Sequence, residues 1–147
     1  MNATVATARK GWMSVLAKAH PARLAALMPD LAPHSVLRPP EVGAVMVRGR
    51  VGGTGQPFNL GEMTVTRASV RLDDGTVGHA WVQGRDKAHA TRAAVIDALM
   101  QTGRAADLRA GVIDVLAAEA EAIRATRAAK AAATKVDFFT MVRGEDA

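Results

Sequence analysis

The chain of 147 residues contains no cysteine and only five aromatic residues, two Trp and three Phe. Without thiols it can form no disulfide, thiolate zinc site or cysteine-ligated iron-sulfur cluster, and it has no cysteine nucleophile. Long apolar runs are also missing, because Lys18 ends the run from Trp12 to Ala17 well short of a signal-peptide core or a membrane span. We therefore expect a cytoplasmic protein with no membrane association.

Acidic residues are scarce in the first third of the chain. Residues 1–50 hold seven Lys or Arg and two Asp or Glu, within a formal net charge of +5. Such a surface suits nucleic acid, a nucleotide or an acidic protein as partner, but it is equally compatible with plain solvation. The length suits one domain over residues 1–147, with a core that needs neither disulfides nor metal.

Periodicity predicts an α+β fold with a mainly antiparallel sheet of three or four strands. Helical spacing predicts N-terminal helices over 4–19 and 22–28, and four prolines predict a connector over 29–41, in which residues 36–38 could form a short extended piece. Alternation predicts a half-buried strand over 43–51, a glycine-rich loop over 52–61, and a hairpin of 62–72 with 77–83. A covering helix over 87–102 and a long, alanine-rich C-terminal helix over 107–133 complete the fold.

The hairpin register follows from the Asp74-Gly75 pair, which is typical of a tight turn. A two-residue turn there pairs Ala68 with Trp81 and puts both Trp81 and His79 on the core face. If the valines of strand 43–51 also face the core, arginines of both segments share the outer face, where a partner could cover them. These predicted partner-facing residues are Arg48, Arg50, Arg67 and Arg71.

The segment WVQGRDK, residues 81–87, predicts a strand that passes through a turn at Gly84 into a helix capped by Asp86. Free backbone N–H groups at a helix start, flanked by Arg85 and Lys87, form a natural anion site, with phosphate as the obvious ligand. The alternative is an ordinary N-cap between two solvated charges.

The glycine-rich segment GGTGQPFNLG, residues 52–61, could also wrap N–H groups of Gly52 and Gly53 around a phosphate. It lacks both the GxxxxGK order of P-loops and the GxGxxG order of dinucleotide-binding folds. A hairpin connection that needs positive φ angles explains its glycines equally well.

Residue patterns typical of catalysis are absent from the sequence. The four histidines lie at no metal-binding spacing, and no serine occupies a GxSxG turn. We therefore expect no catalytic residue, no metal site and no cofactor bound by this chain.

The C-terminal segment VDFFTMVRGEDA, residues 136–147, holds two of the five aromatic residues. It either folds back onto its own domain or serves as a docking tail, since an apolar chain end needs a surface to bury it. In the second case Phe138, Phe139 and Arg143 meet a partner.

Several long strings occur together and in order: GWMSVLA, RVGGTGQPF, TVTRASVRLDDGT, WVQGRDKAHA, IDALMQ and VDFFTMVRG. In these strings the chain resembles the PhnG family, whose members are subunits of the bacterial carbon-phosphorus lyase core complex. The resemblance is close over residues 48–101 and 136–147, and weaker in the proline connector and the alanine-rich helix.

The resemblance implies a role in phosphonate use. With PhnI, PhnH and PhnL, such proteins displace adenine from ATP by methylphosphonate, forming alpha-D-ribose 1-methylphosphonate 5-triphosphate. The core assembly holds two copies each of PhnG, PhnH, PhnI and PhnJ, and MgATP is a substrate of the complex. The implied role is that of an accessory subunit, with no catalytic residue to carry over. A free-standing nucleic-acid binder and an autonomous phosphate-handling enzyme are the alternatives from other classes.

Overall fold

The chain forms one antiparallel sheet with helices packed on one face. The computed structural model describes the backbone of residues 3–135 and the side chains from Thr7 onward. Its strands follow the order β1-β2-β3, so the predicted α+β class is confirmed. No helix of the described part is long and apolar enough to cross a membrane. The elements are α1 (Ala3–Lys18), α2 (Pro21–Leu27), β1 (His34–Arg50), β2 (Pro57–Leu72), β3 (Val77–Gln83), α3 (Lys87–Leu99), α4 (Ala105–Leu108) and α5 (Asp114–Ala133).

Helix α3 lies across β2 and β3 and forms the centre of the core. Val95 and Ile96 are fully buried, as their helical spacing predicts. The approach is close enough to require a glycine opposite the helix: a Cβ on Gly78 would clash with the Ala94 carbonyl and lie 2.6 Å from the Ala98 nitrogen. Small side chains on β3 therefore let the helix backbone approach the sheet.

A buried carboxylate joins α1, β3 and α3. Asp97 is fully buried and accepts hydrogen bonds from Arg9 Nε (3.1 Å) and Nη2 (2.7 Å). Trp12 Nε1 donates to the same carboxylate at 2.9 Å, and the backbone N–H of His79 donates at 2.8 Å. Because all four donors converge on one charged group, the cluster fixes α1 relative to the sheet and to α3.

We expect Asp97→Asn to lower the free energy of unfolding by about 2–4 kcal/mol, because it leaves Arg9 and several buried donors without their anion. The lower value of this range reflects the partial exposure of the Arg9 side chain, which is 27% exposed and can be solvated by water when its ion pair is lost. Urea denaturation measures the change. The matched control is Glu119→Gln, which breaks the exposed pair with Arg23 and should change stability far less. Equal losses in the two variants would contradict the structural role of Asp97.

His89 is buried beneath α1 with one ring nitrogen bonded. Its Nε2 donates to the Leu16 carbonyl at 2.9 Å, while Nδ1 is buried without a partner. Burial lowers the pKa of His89 below its ordinary 6.5, against the opposing effects of the Leu16 carbonyl and the charge of Asp86. The folded protein therefore favours neutral histidine here.

The unfolded chain protonates His89 near pH 6.5, whereas the folded chain does so only at lower pH. The free energy of unfolding should therefore fall as pH drops through that window. In His89→Gln, whose amide can still donate to the Leu16 carbonyl, urea midpoints should depend less on pH between about 7 and 5. Parallel profiles for the two proteins would show that His89 does not cause the dependence.

The predicted connector over 29–41 is too long, because β1 already begins at His34, and the extended piece considered at 36–38 is part of this strand. The strand continues through Pro39 and Pro40, and neither proline is paired with β2. The register shifts between Val36 and Arg38 and again between Arg38 and Glu41, so the prolines fall in bulges. An edge strand tolerates prolines because its outer N–H groups need no partner in the sheet.

The predicted register of β3 is wrong by one residue. The turn has three residues, not two: the Leu72 N–H donates to the Thr76 carbonyl, and Gly75 has a φ of 87°. Arg67 therefore pairs with Trp81, and a one-residue shift turns every side chain of β3 to the opposite face. His79 and Trp81, predicted to lie in the core, face outward instead.

Beyond β3, strands β1 and β2 continue as a two-stranded ribbon, here called the hairpin arm (residues 43–64). The predicted loop over 52–61 is too long, because β2 already begins at Pro57 and a short turn starts at Val51. The strand predicted over 43–51 is confirmed as far as Arg50, but the burial of its valine face is not: Val45 and Val47 are only partly covered, and no residue of the arm is buried. The third strand and the helices do not extend far enough to cover it.

Candidate interaction surfaces

The outer face of the sheet presents an exposed tryptophan held by charged neighbours. Trp81 is 48% exposed, and the guanidinium of Arg67 lies 5.5 Å from its ring centroid. Glu41 accepts from Arg67 Nε and from Arg38 Nη1, both at 2.8 Å, and these bonds, with Arg38 first, lower the pKa of Glu41. A cleft of about 180 Å³ lies between these residues and Val65. A partly exposed Trp with an oriented Arg is typical of residues that dominate protein interfaces.

A serine and a histidine face each other beside this tryptophan. Ser69 Oγ lies 2.8 Å from His79 Nδ1 on the same outer face. Nucleophilic catalysis would need a third group to orient the histidine, and among the described residues no hydrogen bond joins this ring to a carboxylate. The pair therefore adds polar surface to the outer face.

The four predicted partner-facing arginines do not form one stripe. Arg67 and Arg71 lie on the outer face of the sheet, whereas Arg48 is opposite Asn59 and Arg50 is opposite Pro57. The extra residue at the register shift after Val47 belongs to β2, so alternation along β1 puts Arg48 and Arg50 on the face opposite to Arg67. They also lie eight and ten positions from Arg67 along β2, roughly 26 and 33 Å. Val45 and Val47 were predicted to face the core and instead lie on the outer face of the arm.

The hairpin arm exposes apolar side chains that its own chain leaves uncovered. Met46 is 55%, Leu60 65% and Phe58 43% exposed. Met46 lies on the side that continues the core face, whereas Phe58 and Leu60 share the opposite side with Gly49, whose Cβ would lie 3.4 Å from the Phe58 ring. At the tip, Val51 is 62% exposed. A two-stranded ribbon is at best marginally stable in water, and contiguous exposed apolar surface marks an association site. Sequence reasoning missed this surface because the glycines predicted a loop.

The strand-to-helix junction over residues 81–87 is confirmed. Gly84 has a φ of 90°, and its N–H donates to the Thr64 carbonyl at 3.0 Å. Asp86 accepts from the His89 N–H at 2.8 Å, so one donor of the helix start is already occupied. Arg85 and Lys87 are exposed on either side of this cap. The anion site predicted there stays a prediction.

The structure separates the two predicted phosphate-handling elements. Gly52 and Gly53 lie at the tip of the arm with φ angles of 59° and 83°, as a tight hairpin connection requires. From the strand end near Gly84, the tip is seven or more positions along β2, which corresponds to about 23 Å. No single phosphate can contact both elements in this fold.

Two further predictions concern metal and the tail. Within the described part of the chain, no group of three or more His, Asp or Glu side chains is placed to hold a metal ion. Phe138, Phe139 and Arg143 lie outside the described residues.

Comparison with known proteins gives two findings. The sequence model of the family described as "Phosphonate metabolism protein PhnG" matches residues 7–144. Over 118 residues the chain is 52% identical to the alpha-D-ribose 1-methylphosphonate 5-triphosphate synthase subunit PhnG of Rhizobium meliloti (strain 1021), covering 80% of this chain and 74% of that protein. A family match over most of the length, together with this identity, shows that the chain belongs to the PhnG family.

Proposed function

We propose that this chain is an accessory subunit of an alpha-D-ribose 1-methylphosphonate 5-triphosphate synthase within a carbon-phosphorus lyase core complex. The observation that carries the proposal is the hairpin arm, which holds no buried residue yet exposes Met46, Phe58 and Leu60. Such a surface suits association with other subunits rather than free solution. The relative from Rhizobium meliloti, named as a subunit of this synthase, supports the assignment.

In this proposal the assembly displaces adenine from MgATP by methylphosphonate, in the cytoplasm. The chain itself binds no cofactor and supplies no catalytic group. Its core partners are PhnI, PhnH and PhnJ, present with it in two copies each, and PhnL takes part functionally. The arm, the outer face around Trp81 and the tail with Phe138, Phe139 and Arg143 are the proposed contact surfaces.

A nucleic-acid-binding role receives no support from the comparisons. It would need the arginines to form one basic surface, but Arg48 and Arg50 lie on the arm, far from Arg67 and Arg71. An autonomous ATP-binding role would rely on Gly52 and Gly53, which are exposed at the arm tip.

We expect Met46→Ser with Leu60→Ser to reduce the amount of PhnI, PhnH and PhnJ that co-purifies with the chain by at least about tenfold, because apolar anchors dominate interfaces. Trp81→Ser should have a similar effect, and a chain ending at Lys135 should retain its partners less well. The measurement is affinity purification after co-expression, with the subunits quantified on a gel.

The matched control is Val36→Ser. Val36 is 54% exposed and Met46 is 55% exposed, and both lie on β1, but Val36 is at the end opposite the arm. Co-purification that survives the arm variants would exclude the arm as an interface. If even the unaltered chain brings down no partner, the subunit role itself is wrong.

We further propose that Arg85 and Lys87, presented by the turn at Gly84, shape or charge an active site that belongs to a neighbouring subunit. Arg85→Ala with Lys87→Ala should then slow adenine release by about tenfold or more, since fixed cations raise the local concentration of a triphosphate. Assembly should be unchanged.

The control removes the same charge elsewhere, through Lys10→Ala with Arg104→Ala, two other exposed cations. Adenine release is followed by chromatography of complexes matched for subunit content. If the junction variant leaves the rate of adenine release unchanged, Arg85 and Lys87 have no anion-binding role. If the control variant slows the rate equally, the effect comes from net charge and not from the position of these two residues.

A further inference from the structure

A long groove runs between α1 and the C-terminal helix α5. It has two adjoining parts of about 440 Å³ each, which share residues of both helices. One part extends toward Ser14 and Arg127, and the other toward α2 and Gln83. The shared lining residues are Lys18, Ala19, Leu116, Ala120 and Ile123.

The floor of the groove is apolar and its rim is cationic. Val15 of α1 and Ala19, which directly follows that helix, line the groove together with Leu116, Ala120 and Ile123 of α5. Ile123 is 54% exposed, and among the helical side chains from Thr7 onward that the structure describes no other large apolar one is exposed to a comparable degree. Burial of such a side chain by a partner would lower the free energy of the complex.

The rim charges do not neutralise one another. Lys18 donates to Ser14 Oγ at 3.2 Å, and no ion pair is formed by Arg127 among the described residues. Arg124 pairs with Glu121, but both side chains are about 70% exposed (71% and 68%), where water screens the pair. At the other end Arg23 and Glu119 pair with each other. The groove therefore carries a positive surplus.

Helix α5 also continues past the domain that supports it. Every residue from 121 to 133 is exposed, so the part of the second wall that holds Ile123 and Arg127 extends beyond the core. A groove between two helices, with one wall unsupported, has the shape that receives a third helix through its apolar side chains at helical spacing.

We propose that this groove binds an amphipathic segment of a partner subunit in which apolar side chains are flanked by Asp or Glu. The apolar side would cover Ile123, and the carboxylates would meet Lys18 and Arg127. This inference rests on the proposed subunit role, and the site differs from the arm and from the outer face around Trp81.

The test uses the absence of native cysteine, which makes a single introduced thiol unique. Ala120→Cys places the thiol in the groove, and Ala118→Cys places it about 200° away on the same helix, outside the lining of the groove. Both positions are exposed in the isolated chain. On assembly with PhnI, PhnH and PhnJ, maleimide labelling of Ala120→Cys should slow at least about tenfold, while that of Ala118→Cys changes little.

A photo-cross-linker attached at Ala120→Cys, followed by mass spectrometry, identifies the covering segment, which should be acidic and amphipathic. Lys18→Glu with Arg127→Glu should restore labelling in the complex, whereas Lys10→Glu with Arg104→Glu should not. A complex that forms while Ala120→Cys stays reactive overturns the groove proposal and leaves the subunit role intact. Cross-linking to residues 136–147, to a second copy, or to a segment without carboxylates also overturns it. Failure of any complex to form removes the subunit role and the groove proposal together.

Discussion

The hydrogen-bonded carboxylate of Asp97 is the constraint on which the arrangement of this protein depends. It takes donors from α1 through Arg9 and Trp12, and from β3 through the backbone of His79, while belonging to α3. A buried charge is tolerated only when its partners are in place, so these elements must meet in one geometry. That geometry also has a functional side. Because the His79 N–H is held at Asp97, the side chains of His79 and Trp81 project from the outer face of the sheet, where a partner can reach them.

The parts of the fold that follow from local signals were predictable. Gly84 supplies a positive φ and Asp86 a helix cap, and the apolar spacing of α3 marks its buried side, so the junction over 81–87 could be read from its residues. The register of β3 could not. The Asp74-Gly75 pair fits turns of two or three residues. The size of the side chains also pointed to the wrong face of β3 as the core face, since Trp81 is larger than Ala80 or Val82. The close packing of α3 at Gly78, together with the bond from the His79 N–H to Asp97, explains why the small residues face the core.

The candidate surfaces were harder to predict than the core because alternation does not reveal what covers a strand. Val45 and Val47 alternate with polar residues as in a half-buried strand, yet the described chain leaves the whole arm without a buried residue. The prolines led to the prediction of a connector for a related reason. Pro39 and Pro40 normally end a strand, but an edge strand can accommodate them in bulges. Apolar residues that pack in the protein's own core and apolar residues that contact a partner give the same alternating pattern in the sequence, so the pattern cannot distinguish them.

The placement of these surfaces limits how partners can bind. The helices cover one face of the sheet, so the groove between α1 and α5 lies on the helical side while Trp81 and Arg67 lie on the opposite face. The hairpin arm extends beyond the groove and beyond the outer face around Trp81, and it exposes further apolar side chains. One short segment cannot cover all three regions, because the sheet stands between two of them. A partner must therefore either wrap around the domain or leave some of these regions to a second subunit. Contact with more than one subunit is the simpler way to cover so much apolar surface on a domain of this size.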